Sequence, residues 1–587
     1  MYNDAERNSN IPGTPDSTEK TYFPYEQVIL SEWMALSAGW TIPSESEIVV
    51  EYLEREGWCT SDEIEDMLLG FDVRALVFAA AEVLHREGEL KSSGLPVGTL
   101  SSPTIYLHST GAFNQVYVVT LPAPFSSCTS QDLQILARLP KLGRNCIPPS
   151  KIDSVVATMT FARQCRGLPV PRIFAWNAHY DINHNPVGSP YILMEFVSGV
   201  SLEDYWTRLC SQPRSSNQER KKEAIIAACA QFHARLCEPL ILHPRNDHML
   251  GSLYFDWLQV DRNSQDMADP ECYRMGPLAP GFDALRKRQC YSSQLDPVGP
   301  AEDLRTLWRT CLRKELETIK KIGLGMPRKT SGHGDYGAFA EGGRKEMEPE
   351  GGRHHMDELA KSLSVGMGNL VERTLSTSSG IDVSLLRPCL SMDDWAFRNI
   401  IIDPSTLTIR AVVDWDDVYV LPFLLSGRYP EDLCPTHGDS ASGVNTSDQS
   451  DDWDFIPKDE EMLVMPFPLP DVLKKGCSIS PEPGKTESHE HILGWLQLNE
   501  RIECTIWRGV YREKMAALDP RFSFGIIVEV GDAAELQFWE FWEISQEAMK
   551  VQRLLLYGWR KWVDYSRFIE GYTEGHTKLS NSLLEYH

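Results

Sequence analysis

The 587-residue chain lacks three features that each define a broad class of protein. None of its 14 cysteines forms a CxxC pair or stands with histidine at zinc-ligand spacing, which argues against a zinc module. Its most apolar run, residues 75–84, is far shorter than the ~20 residues that cross a bilayer. Lys and Arg total 57 against 83 Asp and Glu, and the net charge of −26 disfavours broad nucleic-acid binding.

The cysteines and the N-terminus predict a compartment. The cysteines are scattered from Cys59 to Cys504, which favours reduced thiols buried as small apolar residues. The first residues are polar and include early acids, a pattern unlike a signal or transit peptide. We therefore expect a cytoplasmic protein, and its hydrophobic fraction of 42% is sufficient for at least one large core.

Composition and periodicity divide the chain into segments. Polar stretches predict disorder or mobile insertions, and periodic apolar stretches predict helices and strands. The predicted segments are 1–24, a disordered tail; 25–102, an N-terminal helical extension; 103–200, a small sheet-containing lobe; 201–435, a helical lobe with a mobile insertion at 326–356; 436–490, an acidic low-complexity insertion; and 491–587, C-terminal helices packed on the helical lobe.

Three polar residues near position 400 carry the chemistry. Asp394 and Asn399 are five residues apart in a loop-like stretch, and Asp414 ends the second of two β-branched runs. These runs, Ile400–Ile402 and Ile409–Val413, are separated by turn residues and predict a hairpin. The hairpin can bring the three polar side chains to one end of a sheet. Two carboxylates and an amide oxygen suit Mg²⁺ with a nucleotide phosphate, and one carboxylate could orient an attacking hydroxyl.

This segment resembles the aminoglycoside phosphotransferase and choline kinase-like family, which shares the protein-kinase fold. The family's HxDxxxxN loop corresponds to Met392–Asn399, and its strand ending in I-D-W-[ED] corresponds to Val413–Asp416. The resemblance implies a two-lobed α+β fold, with a small β-sheet N-lobe, a helical C-lobe and extra helices at both ends. It also implies ATP and Mg²⁺ as cofactors, with Asp394 as the catalytic residue and Asn399 and Asp414 as metal ligands.

Upstream segments resemble the same family in the same order. The run Gly111–Tyr117 is similar to its nucleotide loop, Ala137–Pro140 to its strand with the phosphate-binding cation, and Pro190–Gly199 to its hinge. Together the matches cover roughly residues 103–425. The nucleotide-binding residues that the resemblance implies are Gly111, Phe113, Asn114, Arg138, Glu195 and Val197, the last two through their backbone.

Departures from the family pattern set the limits of this interpretation. Met392 replaces the family histidine that braces the catalytic loop, and Arg138 replaces the usual lysine. The helix glutamate that should pair with this cation aligns with Val155, and Asp153 could substitute only if the helix rotated. A weakly anchored Arg138 would give weak ATP affinity or slow turnover.

Three hypotheses of different classes follow. The first is a kinase that phosphorylates a hydroxyl of an unidentified small-molecule acceptor, bound by residues about 201–325 and the segment after 417. The second is a catalytically impaired relative that binds a nucleotide or a partner without turnover, favoured by Met392 and Val155. The third is an interaction protein in which the N- and C-terminal helices matter more than the pocket. Retention of Asp394, Asn399 and Asp414 favours the first.

Overall fold

The structure, a computed structural model, describes fifteen stretches of the chain. They are residues 40–57, 61–86, 102–121, 133–141, 147–212, 215–242, 249–257, 267–281, 298–322, 362, 365–372, 383–434, 489–523, 525–529 and 536–557. The predicted tail 1–24 and the predicted insertion 326–356 lie outside them. So does the predicted insertion 436–490, except for its last two residues, which begin a helix.

A five-stranded antiparallel sheet forms the N-lobe, in the order β1-β2-β3-β5-β4. Helix α4 connects β3 to β4 on one face of this sheet. The elements are β1 (Thr104–Thr110), β2 (Asn114–Leu121), β3 (Leu133–Pro140), α4 (Pro149–Gln164), β4 (Ile173–Asn177) and β5 (Tyr191–Glu195).

Alternation along β3 assigns its side chains to the two faces of the sheet. Ile135, Ala137 and Leu139 are fully buried on one face, whereas Leu136 and Arg138 share the opposite face. Successive side chains of a strand point to opposite sides, so this pattern places the Arg138 guanidinium on the face that carries α4.

The outer face of the sheet is covered by the N-terminal helices α1 (Glu45–Glu56), α2 (Ser61–Met67) and α3 (Val73–Arg86). Their apolar side chains and those of the sheet form a shared cluster, which we call the outer core. Its members include Ile48, Leu76, Val77, Tyr117 and Leu193. Helix α1 begins with a capping box, in which the Ser44 and Glu47 side chains each accept a hydrogen bond from the other residue's backbone N–H.

The C-lobe contains helices and short sheets. Its elements are β6 (Val200–Ser201), α5 (Leu202–Cys210), α6 (Ser216–Leu236), β7 (Ser252–Phe255), β8 (Tyr273–Gly276), α7 (Leu304–Ile322), β9 (Pro388–Met392), β10 (Ile400–Ile402), β11 (Ile409–Val412) and β12 (Val418–Pro422). Strand β10 lies between β11 and β6, β9 pairs with β12, and β7 pairs with β8. These described elements confirm the predicted two-lobed, protein-kinase-like α+β fold.

The C-terminal part packs on the C-lobe through α8 (His489–Leu518) and α9 (Phe541–Tyr557). The ring of Phe541 lies 5.1 Å from that of Phe423, and Trp542 stacks on Tyr429 at 4.7 Å. This part is not wholly helical, contrary to the sequence prediction. Strands β13 (Gly525–Glu529) and β14 (Leu536–Glu540) form an antiparallel pair between the two helices.

Candidate functional site

The candidate catalytic loop lies between β9 and β10. It contains Asp394 and a short 3-10 helix, Phe397–Asn399. The side-chain nitrogen of Asn399 donates to Asp394 Oδ2 (2.9 Å) and to the Asp394 carbonyl (3.0 Å). Arg398 pairs with the other oxygen of the Asp394 carboxylate. The loop therefore brings Asp394 and Asn399 together, and the amide oxygen of Asn399 is the atom that a cation would bind.

Asp414 follows β11 at the end of the hairpin. Its φ is 58°, in the left-handed region that residues other than glycine seldom adopt. Such a conformation costs about 1–3 kcal/mol and is concentrated at functional sites. The Asp414 side chain is 42% exposed, unlike the buried Trp415 that follows it. The hairpin thus presents this carboxylate to solvent at the site.

Arg138 and Asn114 reach across from the N-lobe to the segment after the hairpin. The Arg138 guanidinium pairs with Asp416 Oδ2 and lies 3.6 Å from Asp414 Oδ1. Asn114 donates its side-chain N–H to the same Asp416 oxygen (3.1 Å). Burial lowers the pKa of Arg138, and the negative charges of Asp414 and Asp417 oppose that shift. An arginine keeps its positive charge in proteins, so a fixed cation faces two carboxylates here.

A buried lysine forms a second contact between the lobes. Lys151, in the first turn of α4, is fully buried and donates to the Asp416 carbonyl. Its Nζ also lies 3.4 Å from Asp417 Oδ1. Burial lowers the pKa of Lys151 and raises that of Asp417, and their mutual attraction opposes both shifts. Helix α4 is therefore tied to the Asp414–Asp417 segment through a cation.

The anchoring of Arg138 corrects a sequence prediction. Val155 is buried in the core and Asp153 accepts a hydrogen bond from Trp176 Nε1 (3.2 Å), so helix α4 contributes no carboxylate to Arg138. Asp416 takes that place instead. The expectation of a weakly anchored Arg138 was wrong because its carboxylate partner comes from another part of the chain.

The turn between β1 and β2 forms the candidate nucleotide loop. Gly111 N–H donates to the Asn114 carbonyl (2.8 Å), and Lys141 N–H donates to the Phe113 carbonyl (2.7 Å). The Lys141 ammonium also donates to the Gly111 carbonyl (3.1 Å). Phe113 is partly buried against the apolar cluster that joins α4 to the C-lobe. The loop is thus held at its base by backbone contacts, while Asn114 connects it to Asp416.

The hinge follows β5. The Glu195 carboxylate accepts the Arg172 backbone N–H (3.0 Å) and pairs with Arg163 (3.1 Å). The Glu195 side chain therefore links the end of β5 to helix α4 through an ion pair and to Arg172 through a hydrogen bond. Val197 is partly exposed beyond the end of the strand. A direct adenine contact of either residue stays a prediction.

The donor atoms at this site fit Mg²⁺. Asp416 Oδ1 is buried and has no hydrogen-bond partner among the described residues, and Asp414 and Asn399 add a carboxylate and an amide oxygen. Within the described ranges, no three His, Cys, Asp or Glu side chains cluster closely enough to hold a metal alone. The ion Mg²⁺ keeps several waters and is usually bound through one or two carboxylates and substrate phosphates, so these oxygens suit it.

Two residues of the site were missed by sequence reasoning. Asp416 was visible as the last acid of the D-W-D motif, but the pattern suggested no partner for it. Lys151 carried no signal, because a lysine in the first turn of a helix is ordinarily a surface residue. Only the fold brings it, fully buried, to the Asp416–Asp417 segment.

Comparison with known proteins gives partial matches. No family model matches the chain. A subtelomeric hrmA-associated cluster protein of Aspergillus fumigatus is 24% identical over 383 residues, covering 62% of this chain and 66% of that protein. The mitochondrial protein called altered inheritance of mitochondria protein 9, from Clavispora lusitaniae, is 23% identical over 331 residues, covering 54% and 48%. The chain thus spans no more than about two thirds of the length of these relatives.

Two solved structures align with most of the chain at low similarity. A putative aminoglycoside phosphotransferase from Ralstonia eutropha gives a TM-score of 0.31 at 12% identity, covering 84% of this chain and 98% of that one. Ethanolamine kinase from Plasmodium vivax gives 0.32 at 12% identity, covering 87% and 95%. The sheet order and the connections of the described elements carry the fold class. None of the described helices has both the length and the apolar character needed to cross a bilayer.

Proposed function

We propose that this protein is an ATP- and Mg²⁺-dependent phosphotransferase that acts on a hydroxyl group of a small-molecule acceptor. Gly111, Phe113 and Asn114 cover the phosphates, and Arg138 contacts them. The backbone of Glu195 and Val197 binds the adenine.

The observation that carries this proposal is the convergence on the Asp414–Asp416 segment. The nucleotide-loop side chain Asn114 and the cation Arg138 both contact Asp416 Oδ2, and Asp414 lies 3.6 Å from the same guanidinium. Phosphoryl transfer depends mainly on positioning and on neutralising charge. A site in which a fixed cation and carboxylate oxygens meet under a loop supplies both requirements.

The catalytic loop supplies the remaining role. Asp394 is oriented by hydrogen bonds from Asn399 and by its pair with Arg398. We assign it to orient the acceptor hydroxyl and take its proton, while Asn399 and Asp414 hold Mg²⁺, assisted by Asp416. When bound, Mg²⁺ supplies positive charge that offsets the negative charge of the phosphates.

Turnover of ATP across a panel of hydroxyl and amine acceptors tests this proposal. We expect Asp394→Asn to keep Mg²⁺–ATP binding and to lower turnover by about 10²–10⁴-fold, the usual loss when a general base is removed. Asp414→Ala should lose metal-dependent nucleotide binding and turnover together. Binding is measured by thermal shift with and without Mg²⁺.

Asp181→Asn is the matched control, because Asp181 is an exposed carboxylate in the loop between β4 and β5. It should behave like the wild type in both assays. Failure of the wild type to bind Mg²⁺–ATP and to phosphorylate any acceptor would sink the kinase proposal. Unchanged Mg²⁺–ATP binding by Asp414→Ala would show that the metal site is misassigned.

Gly111→Ala probes the nucleotide loop separately from folding. A Cβ at Gly111 would meet only the Asn114 carbonyl, at 3.7 Å, and the Gly111 backbone lies outside the left-handed region. The unliganded fold therefore accepts alanine. We expect an unchanged melting temperature and about tenfold weaker Mg²⁺–ATP binding, equivalent to about 1.4 kcal/mol, because phosphates need close approach to this backbone. Equal affinity for both variants would remove Gly111 from the site.

A nucleotide-binding protein without turnover is the second candidate. Met392 favours it, because a buried thioether replaces the histidine brace of the resembling family. Val155 no longer does so, since Arg138 is anchored by Asp416. Mg²⁺–ATP binding without phosphate transfer to any acceptor would establish this candidate.

We propose the cytoplasm as the compartment, supported by the scattered positions of the cysteines along the sequence, which favour reduced thiols. Mitochondria are the alternative, because the Clavispora relative is named as a mitochondrial protein. Cell fractionation of the tagged protein distinguishes the two compartments.

A further inference from the structure

The residues on both sides of Asp394 hold the catalytic loop in place. In the resembling family a histidine two residues before the aspartate braces this loop, and Met392 cannot donate the corresponding hydrogen bond. The residues that directly flank Asp394 are Asp393 and Trp395. Both make contacts with the C-terminal helices, which lie more than a hundred residues further along the chain.

Asp393 is held by two arginines. Arg428 pairs with its Oδ1, and Arg553 of helix α9 donates from Nε to the same oxygen (3.1 Å) and from Nη2 to the Asp393 carbonyl (3.3 Å). Burial alone would raise the pKa of Asp393, but these two guanidinium groups hold it well below its usual range. Arg553 thus contacts both the side chain and the backbone next to Asp394, through charge-assisted hydrogen bonds.

Trp395 is held by helix α8. Its indole Nε1 donates to the Tyr511 hydroxyl (3.2 Å), which lies 2.6 Å from His233 Nδ1. Burial lowers the pKa of His233 to about 3, so the imidazole is neutral, and its contact with the Ser426 backbone leaves Nδ1 to accept the Tyr511 proton. Trp395, Tyr511 and His233 are all buried, and this chain of hydrogen bonds fixes the loop on its second side.

We infer that Arg553 and Tyr511 are positioning residues for Asp394, and that the C-terminal helices replace the brace that Met392 cannot provide. This inference rests on the proposed function for its effect on turnover, but the contacts themselves do not depend on it. An aspartate displaced by about 1 Å from its productive position costs about 100-fold in rate. The two helices would therefore act on catalysis without touching a substrate.

The test compares Arg553→Ala, Arg553→Lys and Tyr511→Phe in the full chain with the control Gln552→Ala. Gln552 precedes Arg553 on α9 but accepts a hydrogen bond from Trp308 of α7, away from the catalytic loop. Arg428 still faces Asp393 in the Arg553 variants, so no carboxylate is left without a cation. The readouts are hydrogen exchange of the peptide 390–399, Mg²⁺–ATP binding, and kcat and KM for ATP.

We expect Arg553→Ala and Tyr511→Phe to exchange the catalytic-loop amides faster than the wild type. Their kcat should fall by about 10–100-fold with KM for ATP unchanged. Arg553→Lys should recover part of kcat, and added guanidinium should partly rescue Arg553→Ala. Gln552→Ala should lower the melting temperature and leave loop exchange and kcat as in the wild type.

Loop exchange in Arg553→Ala and Arg553→Lys equal to that of Gln552→Ala would overturn the inference. So would a loss of kcat in Gln552→Ala as large as that in Arg553→Ala, because the effect would then be general destabilisation. If the wild type phosphorylates no acceptor, the proposed function fails, and the exchange measurement still decides whether the helices brace the loop.

Discussion

Two aspartates near α4 illustrate how surroundings, not residue type, assign a role. Asp416 is 7% exposed and faces Arg138 and Asn114, which makes it the partner of the candidate phosphate-binding cation. Asp153 lies on α4, and its carboxylate accepts a hydrogen bond from the Trp176 indole instead of facing a cation. Burial raises the pKa of Asp153 to about 6. One carboxylate therefore pairs with a cation, and the other destabilises the folded state when it is charged.

The second carboxylate gives a pH prediction. Between pH about 4 and about 6 the folded state holds the Asp153 proton and the unfolded state does not, so this group lowers the free energy of unfolding as pH rises through that window. Asp153→Asn keeps an acceptor for Trp176 and removes the titration. We expect the variant to be more stable at pH 7 by up to about 3 kcal/mol, and by less where solvent reaches the half-buried carboxyl.

Urea unfolding at pH 4.5 and pH 7 measures the difference. The gain should shrink towards the lower pH, where Asp153 is protonated in the folded wild type. A variant that is less stable than the wild type at pH 7 would contradict the view that desolvation disfavours the charged form of Asp153. Asp181→Asn, at an exposed carboxylate, should show no such gain.

Local spacing in the sequence predicted part of the candidate site. The other contacts join residues that are too far apart in the chain for a local pattern to reveal. Asp394 and Asn399 contact each other within one short loop, so a motif could predict their proximity. Arg138 and its partner Asp416 are 278 residues apart, and no local pattern links them. The roles of Asp394, Asn399 and Asp414 stay predictions, although the structure shows the loop and the hairpin that carry them.

At the scale of elements, helix α9 meets the C-lobe at a glycine. A Cβ on Gly427 would lie 2.6 Å from Phe541 Cε1 and 2.6 Å from Ser545 Oγ, both on α9. The Gly427 N–H also donates to Ser545 Oγ (2.9 Å). Helix α9, which carries Arg553, packs directly against Gly427. A side chain at position 427 would therefore push this helix away from the catalytic loop.

We expect Gly427→Ala to lower the free energy of unfolding by about 1–3 kcal/mol, the usual effect of overpacking. Gly509→Ala is the matched control on α8, where a Cβ meets no described atom within 4 Å. Because alanine favours a helix interior over glycine, this control should stabilise by about 0.5–1 kcal/mol. Denaturant unfolding of both variants checks the prediction, and equal stabilities would show that α9 is not closely packed at Gly427.

The hairpin β13–β14 shows why elements are harder to predict than motifs. Its first strand contains a short apolar run, Ile526–Val528, which fits a strand or a buried helix equally well by periodicity. The surrounding residues favoured a helical C-terminus, and pairing with β14 decided otherwise. In contrast, the β10–β11 hairpin was predictable because turn residues separate its two β-branched runs.

For the whole molecule, the N-terminal helices complete the fold of the sheet. The outer core joins α1 and α3 to β1, β2, β3 and β5. Gln115 on β2 also donates to the carbonyl of Met67 at the end of α2 (2.7 Å). A five-stranded sheet with one uncovered apolar face would be a large exposed patch, which soluble proteins rarely tolerate. The helices are therefore part of the N-lobe and not an appended module.

Deletion of residues 1–101 tests this role. We expect the truncated protein to bind a hydrophobic dye strongly and to aggregate during size-exclusion chromatography at concentrations where the full chain does not. Deletion of residues 1–39 alone keeps every described contact and should behave like the full chain. A monomeric 102–587 protein with unchanged dye binding would show that the sheet does not need this cover.

The contact between Arg553 and Asp393 also places a limit on biosynthesis. The two residues are 160 positions apart, so at about 5–20 residues per second the ribosome needs roughly 8–30 s between them. During that interval the nascent chain contains Asp394, Asn399 and Asp414, but the arginine of α9 that holds the loop does not yet exist. The two lobes can begin to fold while translation continues, whereas Arg553 can hold the loop around Asp394 only after α9 has been synthesised.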